Sequence, residues 1–235
     1  MTYKVLDAFE GLFQNTTYRH RDSSRGDHVA SFLVDDLYSL ARSPKLVKAV
    51  DTPTSVLNRR NTPVGRRQRR GDGTFGKLIP GDTPFAVSTH IVKFGEVADV
   101  EVGAETKILA KAMIKQIDRV CTDLINQATQ FKVHGGSPIT VALVGVNFAP
   151  VYQSFEGERV FVTNGRNYPH PIAEAQAAIE HIMNRVVPVY DEVVVLRFIA
   201  TNMPPFSFSW VDAARTNAEY GAALVRISSR YEARF

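Results

Sequence analysis

Residues Ile139 to Val146 form an almost unbroken apolar run. Such a run suits a β-strand covered on both faces, because a strand with one wet face alternates apolar and polar side chains. Glu192 to Ala200 reads as a second buried strand. Between them, Pro171 to Val186 has helical spacing, with proline at its first turn. Two buried strands joined through a helix form a right-handed crossover and run parallel. Such a unit needs helices on both faces of its sheet. It therefore sets the fold class as α/β, a mixed β-sheet flanked by helices on both faces.

The rest of the chain supplies the other layers. Val5, Leu6, Phe9, Leu12 and Phe13 predict an amphipathic helix within Met1 to Gln14. A helix is expected over His28 to Arg42, with Asp27 as N-cap and Ser43-Pro44 as its stop, and a short one over Pro44 to Val50. Residues 51–73, rich in Pro, Asn, Arg and Gly, read as a long surface loop. Thr74 to Ile79, Phe85 to Phe94 and Val97 to Leu109 are three expected strands. Ala110 to Lys132 carries apolar residues at steps of three and four and is the clearest helix of the chain. A last helix is expected over Asn217 to Arg234, after an irregular aromatic segment from Pro204 to Trp210. The aromatic residues after Val151 suit an oligomer interface or a specificity element. The sum is a single domain over 1–235, with a core over about 28–202.

Two sets of charges stand out. Within 58–71 lie Arg59, Arg60, Arg66, Arg67, Arg69 and Arg70 with no acid among them, which suits a polyanionic partner. In the third strand, alternation would put Asp99, Glu101, Glu105 and Lys107 on one face if the strand is continuous. Carboxylate oxygens suit a hard cation such as Mg²⁺, and the lysine can neutralise a phosphate or orient a water. The first helix adds Asp36, near the middle of an apolar face formed by Val29, Phe32, Leu33, Leu37 and Leu40. A buried carboxylate there needs a cation or donors, either a metal or an arginine such as Arg197.

Glu105-Thr106-Lys107 near the end of a strand, followed by a long amphipathic helix and a buried strand, resembles the PD-(D/E)xK nuclease superfamily, the fold of many type II restriction enzymes. The resemblance spans roughly Val29 to Val146. It implies a restriction-endonuclease-like core, with Glu105 as an acidic metal ligand and Lys107 as the catalytic lysine. The family places another acid on the preceding strand, often after proline, and this chain has no Pro-Asp dipeptide. Glu101 and Asp72 are the first candidates for that acid, then Asp99, with Asp82 behind them. Asp72 suits the usual longer spacing, whereas Glu101 and Asp99 would need a tight turn near Val102-Gly103. Asp36 is the candidate for the helix-borne acid that some members direct at the metal. Gln116 is the candidate polar residue on the following helix. The resemblance also implies Mg²⁺ as cofactor, with Mn²⁺ able to substitute. It further implies DNA as substrate, a homodimer or higher homo-oligomer, and a restriction or phage-defence role.

Other classes are excluded by what the chain lacks. It has no Walker-type or dinucleotide glycine loop, no His-Glu-x-x-His and no Gly-x-Ser-x-Gly elbow. His134, His170 and His181 show no metal-ligand spacing. The single cysteine, Cys121, allows neither an intrachain disulfide nor a thiolate zinc site. With no signal pattern and no long apolar run, a cytoplasmic location is expected. The rival expectation is a nucleic-acid-binding protein without catalysis that grips its partner with the arginine loop.

Overall fold

The computed structural model describes residues 2–20, 24–58, 71–132, 137–156, 159–166 and 168–235. In chain order the helices are α1 (Lys4–Gly11), α2 (Ser24–Ser31), α3 (Leu33–Leu40), α4 (Pro44–Asp51), α5 (Met113–Lys132), α6 (Pro171–Arg185) and α7 (Ala213–Arg234). The strands are β1 (Ser55–Asn58), β2 (Gly73–Leu78), β3 (Phe94–Gly95), β4 (Val97–Leu109), β5 (Ile139–Asn147), β6 (Tyr152–Glu156), β7 (Arg159–Thr163), β8 (Glu192–Ala200) and β9 (Phe208–Trp210).

The two apolar runs, β5 and β8, pair in parallel inside a seven-stranded sheet ordered β3-β1-β2-β4-β5-β8-β9. β4 lies parallel to β5, while β1, β2 and β4 form an antiparallel series. Alternate side chains of β5 enter two separate cores. Ile139, Val141 and Leu143 pack with α1 to α4 and α7, whereas Ala142, Val144 and Val146 pack with α5 and α6. Every residue of β5 is buried, as a strand between two helical layers requires. The expected α/β class with helices on both faces is therefore observed. Among the described residues, no helix is long and apolar enough to cross a membrane.

Four local expectations are corrected. The helix over 28–42 begins earlier, at Ser24, and is interrupted at Phe32, whose N–H bonds back only three residues to Val29. Asp27 therefore lies inside α2 and is not a cap. The segment 85–94 is not a strand. Its only ladder contacts are a Phe85–Phe94 bridge and the two-residue β3. The Ile91 and Val92 N–H groups donate instead to the Asp35 carboxylate, at 3.1 and 3.0 Å, so this backbone serves a side chain rather than a neighbouring strand. The loop expected over 51–73 contains β1 and the first residue of β2. The last helix starts at Ala213, where Asp212 caps it by accepting from the Arg215 N–H.

Asp36 is also corrected. It is buried, but its partners are protein donors rather than a metal or Arg197. Its carboxylate accepts from the Lys4 and Val5 N–H groups at 2.8 and 3.1 Å and from the Tyr220 hydroxyl at 2.9 Å. It thus satisfies orphan donors at the start of α1 and ties that helix to α7. Burial pushes the Asp36 carboxyl above its ordinary range, although the three donors oppose the shift. Arg197 pairs with Glu219. The Asp35 carboxyl, next to Asp36 in sequence, shifts the other way. Burial opposes its charge, but His90, Lys4 and the two N–H groups outweigh that effect and lower its pKa. His90, stacked on Phe32, is accordingly structural.

Replacing Asp36 with alanine strips three buried or half-buried donors of their acceptor. The expected loss is roughly 3 kcal/mol of unfolding free energy, read from the denaturant midpoint. Asp36→Asn, which keeps one acceptor oxygen, should lose clearly less.

Candidate active site

The site forms where β2 begins and β4 runs on past it. The last paired residues are Gly73 and Ala104. One step beyond, the Asp72 side chain takes the place of the next ladder acceptor, and its Oδ2 accepts the Thr106 N–H at 2.8 Å. This fixes Asp72 against the Glu105-Thr106-Lys107 segment. Helix α2 closes the site from the side through Gly26. A Cβ at that position would stand 2.6 Å from Asp72 Oδ2 and 3.5 Å from the Thr106 carbonyl oxygen. Only glycine lets the helix approach so closely.

Glu105 is buried, 6% exposed, and its Oε1 is ion-paired with Lys107 Nζ. Burial works to lower the Lys107 pKa, but the adjacent Glu105 carboxylate, aided by Asp72 and Asp123, outweighs it and raises the pKa. Asp72 feels the opposite balance. Burial first, then repulsion from Glu105, and lastly from Asp27 push its carboxyl up to about 8, against the opposing Thr106 bond and Lys107. Two carboxylates and one ammonium are thus confined where a second negative charge is costly.

Lys107 and Asp72 open into a cleft of about 570 Å³. Its far wall is α5, which contributes Lys115, Gln116, Arg119 and Asp123, with Tyr18 and His20 at another edge. Gln116 therefore lines the cleft. A second hollow on the other side of Asp72 is lined by Asp27, His28 and His90.

Of the expected acids, Asp72 converges with Glu105 and Lys107. Glu101 and Asp99 do not, because β4 is bulged. Opposite the Phe75–Gly76 step, β4 spends two residues, Val102 to Val100, and Glu101 is the extra one. Gly76 accommodates this close approach, since a Cβ there would collide with the Asp99 carbonyl oxygen. The extra residue reverses the alternation. Glu101 turns to the α7 side, where it accepts from the Tyr231 hydroxyl at 2.7 Å and pairs with Lys77 at 2.9 Å. Asp99 is exposed opposite Lys77. Asp82 accepts from the Glu96 N–H in the turn before β4. Arg59, Arg60, Arg66, Arg67, Arg69 and Arg70 lie outside the described residues.

Asp27, expected only as a helix cap, adds its charge to that of Glu105 beside Asp72, a proximity that nothing in the sequence marks. Among the described residues, no group of three or more His, Cys, Asp or Glu side chains is gathered as a metal site. The oxygen donors that face one another are the Asp72 and Glu105 carboxylates, with the Thr106 carbonyl alongside. No known family model, curated protein or solved structure matches this chain.

The raised Asp72 pKa carries a sign. Between its unfolded value near 3.8 and about 8, the native chain holds a proton that the unfolded chain has released. Stability therefore falls as pH rises through that window. Without divalent cations, Asp72→Asn should be more stable than the unaltered chain at pH 9 by at least about 1.4 kcal/mol, the worth of one pKa unit. The gap should close toward pH 4, as followed by denaturant unfolding at several pH values.

Proposed function

We propose that this protein is a divalent-cation-dependent nuclease of the restriction-endonuclease-like type that hydrolyses DNA phosphodiester bonds. The observation that carries the reading is the convergence of Asp72, the residue just before β2, with Glu105-Thr106-Lys107 on the neighbouring β4. The element order supports it. Helices α3 and α4, the antiparallel series β1-β2-β4, helix α5 and the parallel strand β5 follow the helix–strands–helix–strand order of the PD-(D/E)xK superfamily, with Asp72 immediately before the strand that pairs with β4.

The donor set suits Mg²⁺, with Mn²⁺ as substitute, because all of it is oxygen. Asp72 and Glu105 would hold the ion, with the Thr106 carbonyl beside them. When bound, the cation supplies Lewis acidity and a water of lowered pKa. Asp72 must give up its proton to serve as a ligand, and Glu105 must share its charge between the ion and Lys107. The Lys107 ammonium, kept protonated by both acids, then faces the open cleft. There it can orient the attacking water and offset the negative charge that grows on the phosphate. Water adds to phosphorus, the P–O ester bond breaks, and the leaving oxygen takes up a proton. The arginines of 58–71 are read as grips on the DNA backbone. Cutting both strands of a duplex takes two sites, so the working form is read as a homodimer or higher oligomer. A restriction or phage-defence role, inside the cell, follows from the same reading.

The test uses long DNA of mixed sequence, so that a strict recognition site is present. Cleavage should require Mg²⁺ or Mn²⁺ and stop with EDTA. Lys107→Ala should lower its rate by about 10²–10³-fold, and Asp72→Asn should abolish the Mg²⁺-dependent cleavage. Cleavage that persists in EDTA, or that ignores the loss of Lys107, rejects the proposal. DNA retention without any cleavage would replace it with a non-catalytic binding role.

A further inference from the structure

The hairpin β6–β7 stands apart from the main sheet and is built unevenly. Its first strand is anchored. Tyr152 and Ser154 are fully buried, the Gln153 N–H donates to the Thr201 carbonyl at 2.8 Å, and the Asn202 amide donates to the Gln153 carbonyl at 2.8 Å. Its second strand is presented to solvent. Arg159, Val160, Phe161 and Val162 are all exposed, as is Tyr168 just beyond. Rigid anchoring on one side and exposed apolar side chains on the other mark a contact surface rather than a stray loop.

The neighbours of this surface indicate its occupant. Lys111 Nζ lies over the Phe161 ring at 5.7 Å, and Lys115 Nζ over the Tyr168 ring at 4.8 Å. Both lysines line the cleft that holds Asp72 and Lys107, and Arg119, one turn beyond Lys115, lines it too. A lysine held over one face of an aromatic ring places a phosphate-binding charge beside a stacking surface. Bases offer their faces to a protein ring only where they are unpaired, whereas phosphates are available on either form of DNA.

We propose that β7 with Tyr168, and Lys111 with the first turns of α5, form a strand-binding surface at the edge of the cleft. Lys111, Lys115 and Arg119 hold backbone phosphates, and Phe161 and Tyr168 stack on the bases of an unpaired DNA strand. This rests on the nuclease reading for its choice of DNA, but it concerns binding and not chemistry. The occupant is therefore locally single-stranded DNA, as at a melted, flipped or overhanging position.

The experiment measures binding alone, in EDTA, by fluorescence anisotropy. The probes are a labelled short single strand of mixed sequence and its duplex. Phe161→Ala and Tyr168→Ala should each weaken single-strand binding by about tenfold and leave duplex binding nearly unchanged, while Tyr168→Phe retains it. Lys115→Ala and Arg119→Ala should weaken binding to both probes and reduce the salt dependence, by about 0.7 in slope per lost contact on the single strand. Circular dichroism checks that each variant is folded. Unchanged single-strand binding in both aromatic variants overturns the proposal. So does a fall in self-association, seen by sedimentation, with DNA binding intact, because the surface would then serve a second copy of the chain. Stacking-dependent binding without cleavage in Mg²⁺ would sustain this inference while rejecting the nuclease reading. Cleavage that is indifferent to Phe161 and Tyr168, with single-strand binding unaltered, would do the reverse.

Discussion

The hydrogen bond from the Thr106 N–H to Asp72 is the constraint on which the candidate site depends. In a regular ladder that N–H would meet a backbone carbonyl. Here β2 has not yet begun, and a side chain fills the vacancy. The substitution holds a carboxylate within the field of Glu105, away from bulk water, and both effects raise its pKa. It also orients the acid along the strand that carries Lys107. One bond thus links the end of a strand pair to the electrostatics of the cleft. Gly26 completes the enclosure from α2, so the site draws on three stretches of chain that are far apart in sequence.

Asp35 and Asp36 show how far two adjacent identical residues can diverge. Both carboxylates are buried, and both act as surrogate partners for backbone N–H groups. Asp35 holds 91–92 and an ion pair with Lys4, and its charge is favoured. Asp36 binds the start of α1 and the Tyr220 hydroxyl, and burial disfavours its charge. Together they replace ladder and helix bonds that the surrounding segments cannot make for themselves. An acid on an apolar helix face was therefore informative, but about assembly rather than about metal binding.

Periodicity made much of the sheet legible. The apolar runs at 139–146 and 192–200 and the helical spacing of 110–132 describe β5, β8 and α5 to within a few residues, because burial on both faces or on one stripe leaves a strong pattern. Glu105 and Lys107 were legible for the same reason, since they lie two apart on one strand. What was not legible depended on partners distant in sequence. The interruption at Phe32 and the use of 91–92 by Asp35 leave no local mark, and the aromatic and β-branched residues of β6 and β7 do not show where that hairpin is anchored. Asp72 stood in the sequence as one of several candidate acids, and only the pairing of β2 with β4 sets it against Thr106. Glu101 looked equivalent to Glu105, and the extra residue in the strand made it otherwise.

That extra residue divides β4 into two stretches with different obligations. The stretch before Val102 answers to α7 through Glu101 and Tyr231, and the stretch after it answers to the cleft. In an unbroken strand every position is bound to one alternation, so an insertion or deletion anywhere inverts all that follows. A bulge supplies slack. Length changes near 98–101 can be absorbed there without turning Glu105 and Lys107 away from the cleft. The support under the site is thereby free to drift in sequence while the reactive edge keeps its register.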